Sequence, residues 1–195
     1  MSLINEHFLE LGDSYLFSTI ARKVKEYKAE HPERRVISLG IGDVTQPLPK
    51  ACIEAMHRAV DEMAAIDTFR GYGPEQGYDF LRNDIIENDF ATRGVSLDPD
   101  EVFISDGAKS DCGNIGDILG HDCSVGMTDP VYPVYVDSNV MGGRGKKISY
   151  LPVNASNGFK PTIPETHIDI IYLCYPNNPT GLVIGREELK KWVDY

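Results

Sequence analysis

Hydrophobic positions recur with helical spacing in the first half of the chain and in short β-branched blocks in the second. Over Ser18–Lys28, Ile20, Val24 and Tyr27 fall on one face, which predicts a helix. The apolar run Val36–Leu39 ends in Gly40-Ile41-Gly42-Asp43, and Pro47 and Pro49 punctuate a loop before the next helix. That helix carries Cys52, Ile53, Met56, Ala59, Val60 and Met63 on one stripe with Glu54, Arg58, Asp61 and Glu62 opposite, so one side is expected to face a core. After the turn-rich segment at Arg70 to Pro74, a second amphipathic helix is predicted from about Gln76 to Phe90 on Phe80, Leu81, Ile85 and Ile86.

Beyond Phe90 the pattern changes. Strands are predicted over Val102–Ser105, Ser124–Thr128, Lys147–Leu151 and Asp169–Cys174, separated by helical patterns over Ser110–Leu119 and Val134–Met141. Strands joined by helical crossovers imply an α/β fold, a three-layer α/β/α arrangement on a mostly parallel sheet. Ligands of such sheets sit beyond the carboxyl ends of the strands. The final segment, Arg186–Tyr195, places Leu189, Trp192 and Val193 on one helical face and has no Gly, Asn or Pro to end it. A helix cut short and an ordinary last helix fit that feature equally.

Composition narrows the functional classes. The 195 residues suffice for a real hydrophobic core, and 42% hydrophobic with 25% charged residues is the balance of a folded globular chain. A formal charge of −11 opposes binding to nucleic acid or to an acidic membrane surface. The run Ile168–Tyr175 is far shorter than the roughly 20 residues a membrane span needs, so no membrane partner is expected. Cys52, Cys112, Cys123 and Cys174 form no C-x-x-C pair, and no signal-peptide pattern opens the chain, so a cytoplasmic location is expected.

Three candidate loops follow predicted strands. Ser105-Asp106-Gly107-Ala108-Lys109-Ser110 opens a helix with small residues and a lysine, a setting for an anion at a helix start, although an ordinary βα turn has the same look. Thr128-Asp129-Pro130-Val131-Tyr132-Pro133 restrains Tyr132 between prolines, either as a platform for a flat ligand or as a cap on the core. Tyr175-Pro176-Asn177-Asn178-Pro179-Thr180-Gly181 fixes side-chain amides at a strand end, where they can donate hydrogen bonds. A fourth segment, Gly71-Tyr72-Gly73-Pro74-Glu75-Gln76-Gly77, combines glycines with an aromatic ring and a carboxylate. The five histidines are isolated and lack zinc-site spacing, and neither a P-loop nor a G-x-S-x-G elbow is present.

Taken together, these segments resemble the fold-type-I pyridoxal-phosphate aminotransferases, of which Asn178-Pro179-Thr180-Gly181 is a familiar mark. Gly42-Asp43, the Gly71 to Gly77 segment, Ser105 to Lys109 and Thr128 to Tyr135 are similar, in order and spacing, to the LL-diaminopimelate aminotransferases within that family. The resemblance runs from about Gly12 to the end, with Ser110 where many members have cysteine. It implies pyridoxal 5′-phosphate as cofactor, with Ala108 and Lys109 at its phosphate, Tyr132 on its ring and Asn178 at its phenolic oxygen. Tyr72 is implied to reach the phosphate in the neighbouring subunit of a homodimer. Tyr15, Gly42, Glu75, Lys109, Tyr132 and Asn178 are implied to contact the amino-acid and keto-acid substrates, with Glu75 facing the distal ammonium of diaminopimelate.

The implied reaction converts tetrahydrodipicolinate and glutamate to LL-2,6-diaminopimelate and 2-oxoglutarate. Residues 1–45 would then form an N-terminal arm and part of a small domain, and residues 46–195 the first part of the cofactor-binding large domain. Family members are longer, and their Schiff-base lysine, pyridine-pairing aspartate and carboxylate-binding arginine correspond to positions after Tyr195. No lysine present takes the covalent role by motif, so this chain alone is expected to be inactive. Other readings are an alanine, aspartate or aromatic aminotransferase, for which Glu75 has no use; a non-catalytic module that binds a phosphorylated ligand or pairs with a complementary subunit; and a flavodoxin-like nucleotide binder.

Overall fold

The computed structural model describes residues 3–11, 16–39, 42 and 44–195, without the side chains of Leu16 and Phe17. These residues separate into two units, one built from Leu16–Ile104 and the other from Ser105–Tyr195 with the described residues of 1–15. No helix among the described residues is long and apolar enough to cross a membrane.

The second unit holds a parallel three-stranded sheet in the order β2-β1-β3, from β1 (Val125–Asp129), β2 (Ile148–Pro152) and β3 (Ile170–Tyr172). Val125 pairs with both Ile148 and Ile170, which places the carboxyl ends of all three strands along one edge. β1 is central and reads accordingly, with Val125 and Met127 fully buried. Gly126 leaves room for a neighbour: a Cβ there would lie 3.1 Å from the Ile168 side chain. The crossover between β1 and β2 is α5 (Pro133–Met141), with proline in its first turn where a missing N–H costs nothing. Helix α4 (Ala108–Asn114), prolonged by a 3₁₀ turn over Ile115–Ile118, packs against α5, and α6 (Arg186–Asp194) buries Trp192.

Two polar clamps hold this unit. Arg144, 3% exposed, donates from Nε to Asn139 Oδ1 (2.9 Å) and from Nη1 to the Gly116 carbonyl (3.2 Å), which ties α5 to the 3₁₀ extension of α4. At the opposite edge Asp169 Oδ2 accepts from both Ser124 N and Ser124 Oγ (2.7 Å each), while Asp169 N donates to Ser124 Oγ (3.0 Å). These bonds to Ser124, helped by His167 nearby, hold the Asp169 carboxyl below the usual carboxylate range.

The first unit contains α1 (Leu16–Glu30), α2 (Lys50–Glu62) and α3 (Asp79–Ile85), the last continuing through a π-helical turn over Ile86–Phe90. Here the expectations from periodicity need correction. Val102–Ser105 is not a strand, because no ladder among the described residues takes its backbone groups; Ile104 N instead donates to Gln76 O (2.9 Å). The apolar stripe of α2 forms as expected but faces no core among the described residues, since none of its residues is buried and Val60 is 70% exposed.

Candidate functional site

Helical hydrogen bonding in α4 begins when Ser110 N donates to Gly107 O (3.0 Å), so the Ala108 N–H lies ahead of the ladder at the positive end of the helix. Gly107 supports this entry with a φ of +143°, a conformation that a side chain resists, and nothing lies within 4 Å of the position its Cβ would take. The preceding turn is tied by Ser105, whose Oγ accepts from Gly107 N (3.2 Å) and donates to Asp111 Oδ2 (2.9 Å). Ala108 and Lys109 are exposed on this turn.

The Lys109 ammonium lies 5.9 Å from the centroid of the Tyr132 ring, at the outer limit of cation–π range. Tyr132 is half-buried at the N-cap of α5, and beneath it a column of aromatic rings fixes its plane. Tyr135 meets Tyr132 edge-on with centroids 5.7 Å apart and stacks on Tyr172 at 4.9 Å. Tyr135 also hydrogen-bonds Cys174, and burial, followed by that bond, pushes its phenol pKa up to about 12. Burial likewise raises the Cys112 thiol and the Tyr175 phenol, which favours their neutral forms.

The loop after β3 is joined to the loop after β1 through Asn177. Its Nδ2 donates to the Pro130 carbonyl (3.3 Å) and to Thr180 Oγ1 (2.9 Å), its N–H donates to Leu182 O (2.8 Å), and its carbonyl accepts from Gly181 N (2.7 Å). Asn177 is 4% exposed, whereas Asn178 beside it is exposed on the same turn. Asp129-Pro130, Tyr175-Pro176 and Asn178-Pro179 are all cis peptides.

Ala108, Lys109, Tyr132 and Asn178 thus share one unit, on loops that leave the same sheet edge or pack onto it. Gly42, Tyr72 and Glu75 belong to the other unit. Glu75 is exposed on a turn closed by Gly77 N donating to Pro74 O (2.9 Å), Tyr72 is exposed two residues before that turn begins, and Tyr15 lies outside the described residues. Gly77 has a φ of +102°, and a Cβ there would meet Ile104 Cγ1 at 2.5 Å, so only glycine fits this turn. Arg82, buried behind it, donates to Gln76 Oε1 (3.1 Å), Pro99 O (2.6 Å) and Asp79 Oδ1 (2.5 Å).

Sequence reasoning did not single out Arg82, Tyr135, Asn177 or Arg144 for these roles. Asn177 stood only as one of two adjacent amides in its turn, and Tyr135 left a trace in its i,i+3 spacing from Tyr132 at a helix start.

A parallel sheet with a glycine-led helix start, a half-buried tyrosine ring and an asparagine-bearing turn gathered in one unit is the arrangement of a cofactor-binding α/β fold. Residues 34–195 match the family of class I and II aminotransferases, and the chain belongs to that family. Membership implies pyridoxal 5′-phosphate as the cofactor. The residues present fit it: an exposed lysine stands over a fixed tyrosine ring, open space lies before Gly107, and the buried Asn177 Oδ1 has no hydrogen-bond partner.

Within the family the chain is 65% identical to the LL-diaminopimelate aminotransferase of Bacteroides fragilis and 63% identical to that of Parabacteroides distasonis. In each case the match covers all of this chain and 50% of the relative. The solved L,L-diaminopimelate aminotransferase of Chlamydomonas reinhardtii superposes with a TM-score of 0.86 at 39% identity, over 99% of this chain and 49% of that one. The chain therefore spans about half the length of the relatives it matches.

Proposed function

We propose that these residues belong to an aminotransferase that converts tetrahydrodipicolinate and glutamate to LL-2,6-diaminopimelate and 2-oxoglutarate. The observation that carries the reading is the joining of the Lys109, Tyr132 and Asn177-Asn178 loops within one unit, in a chain 65% identical to an enzyme named for that substrate. When bound, the cofactor supplies an electron sink for the carbanion formed at the amino-acid α-carbon. The Ala108 N–H and the Lys109 turn hold its phosphate, the Tyr132 ring covers one of its faces, and the Asn178 amide donates to its phenolic oxygen, favouring the deprotonated form.

Tyr72 reaches the phosphate of the neighbouring subunit in a homodimer. Tyr15 and Gly42 contact substrate, and Glu75 accepts the distal ammonium. A substrate without that amine leaves the Glu75 charge unpaired, which gives discrimination. In this reading residues 1–45 are an arm with a small-domain contribution, and residues 46–195 are the first part of the large domain. No lysine of this chain is assigned the covalent link, so the 195-residue polypeptide alone is expected to give no glutamate half-reaction when titrated with pyridoxal phosphate.

The test is a substrate panel on the full-length protein with Glu75→Gln beside it. LL-diaminopimelate should be the preferred amino donor to 2-oxoglutarate, and Glu75→Gln should lower its kcat/KM by about tenfold or more, with little change for glutamate. Preference for alanine, aspartate or an aromatic amino acid would overturn the assignment.

A further inference from the structure

We infer that Asn177 is a positioning residue for the cofactor ring, setting Asn178 and Tyr132 in register with one another; this rests on the reading that the site holds pyridoxal phosphate. Asn177 is the side chain that bridges the two loops. One amide nitrogen bonds the backbone after β1, at Pro130, two residues before Tyr132, and also Thr180 Oγ1 within its own turn. Its backbone closes the turn on both sides, through Leu182 O and Gly181 N. Asn178 is held by the peptide that follows Asn177, so any rotation of the Asn177 plane relative to Pro130 moves the Asn178 amide relative to the Tyr132 ring.

Energetics favour this role over a purely structural one. Asn177 is 4% exposed, and its Oδ1 is buried without a hydrogen-bond partner. Burying half an amide unsatisfied opposes stability. What the residue gives in return is geometry: a single short side chain spans two loops that carry a ring platform and a hydrogen-bond donor. The Lys109 turn has its own support, from Ser105 to Asp111 and Gly107, so phosphate binding does not depend on the Asn177 bridge.

That independence supplies the test. Equilibrium binding of pyridoxamine 5′-phosphate, which needs no covalent lysine, and of inorganic phosphate is measured by calorimetry on the full-length protein. The variants are Asn177→Ala, Asn178→Ala, the double variant and Thr180→Val, each with its thermal melting curve. Asn177→Ala and Asn178→Ala should each weaken pyridoxamine phosphate by about five- to tenfold and leave inorganic phosphate unchanged. The double variant should be no weaker than Asn178→Ala alone, since the first residue acts through the second.

Thr180→Val removes one partner of the Asn177 amide at an exposed position and should give a smaller loss of the same kind, which keeps the test open if Asn177→Ala does not fold. Unchanged pyridoxamine phosphate affinity, parallel loss of both ligands, or additive losses in the double variant would each overturn the positioning role. Failure of the unaltered protein to bind pyridoxamine phosphate at all would instead remove the cofactor reading beneath it.

Discussion

Tyr135 illustrates how a residue behind the candidate site sets the surroundings of one proposed to face the cofactor. It sits between Tyr132 above and Tyr172 below, bonded to Cys174, with its phenol pKa at about 12 against an ordinary value near 10. The raised pKa means that the folded state holds the proton more tightly than the unfolded chain does. Its contribution is therefore complete below pH 10 and is lost as pH rises from about 10 to about 12. Tyr135→Phe should flatten the alkaline fall in melting temperature across that window, at the expense of the Cys174 bond at neutral pH. A pH series of melting curves on the two proteins reads it directly.

At this scale the sequence was partly legible. Tyr132 and the Asn178 turn stood out because prolines and asparagines advertise a constrained loop. Asn177 did not, since nothing in a pair of adjacent asparagines says which is buried against a carbonyl 47 positions earlier. Arg82 and Arg144 were hidden for a related reason: a charge in a polar segment reads as solvated, and only tertiary structure shows it satisfying carbonyls at element ends.

The elements of the parallel sheet came through well. The strands about Val125 and Ile148 and the helix about Val134 lie within a few residues of where periodicity places them, because each buries a matched face locally. Val102–Ser105 failed for the complementary reason: an apolar run is a strand only when another strand supplies its ladder. The Ser124–Asp169 clamp belongs to this scale, since it joins the start of β1 to the start of β3. The depressed carboxyl of Asp169 contributes stability present above the unfolded value near 4 and lost as pH falls through the lower folded value. Ser124→Ala should therefore lower stability at neutral pH and narrow its difference from the parent protein below about pH 4, as read from urea melts at several pH values.

At the scale of the whole molecule, α2 and the turn after it are the main departure from an ordinary globular surface. Ile53, Met56, Val60, Met63, Ile66, Phe69 and Tyr72 are all exposed, Ile66 at 88%. Apolar side chains exposed in this number are typical of a surface that another chain or segment covers. Self-association through it is expected, in keeping with the homodimer of the proposed function. Met56→Glu with Val60→Glu should shift the protein toward monomer in sedimentation velocity, with helix content unchanged by circular dichroism. What covers the apolar stripe of α2 was not legible in the sequence, because periodicity reports that a face is apolar and not what lies against it.

The turn at Gly77 sets a boundary on how this protein can change. Since any β-carbon there collides with Ile104, the turn that carries Glu75 has no room to drift through small substitutions at its pivot. Under the proposed function, a change of amino donor would have to rewrite Glu75 itself while leaving that hinge alone, so selectivity would be exchangeable by a point change on an unaltered frame.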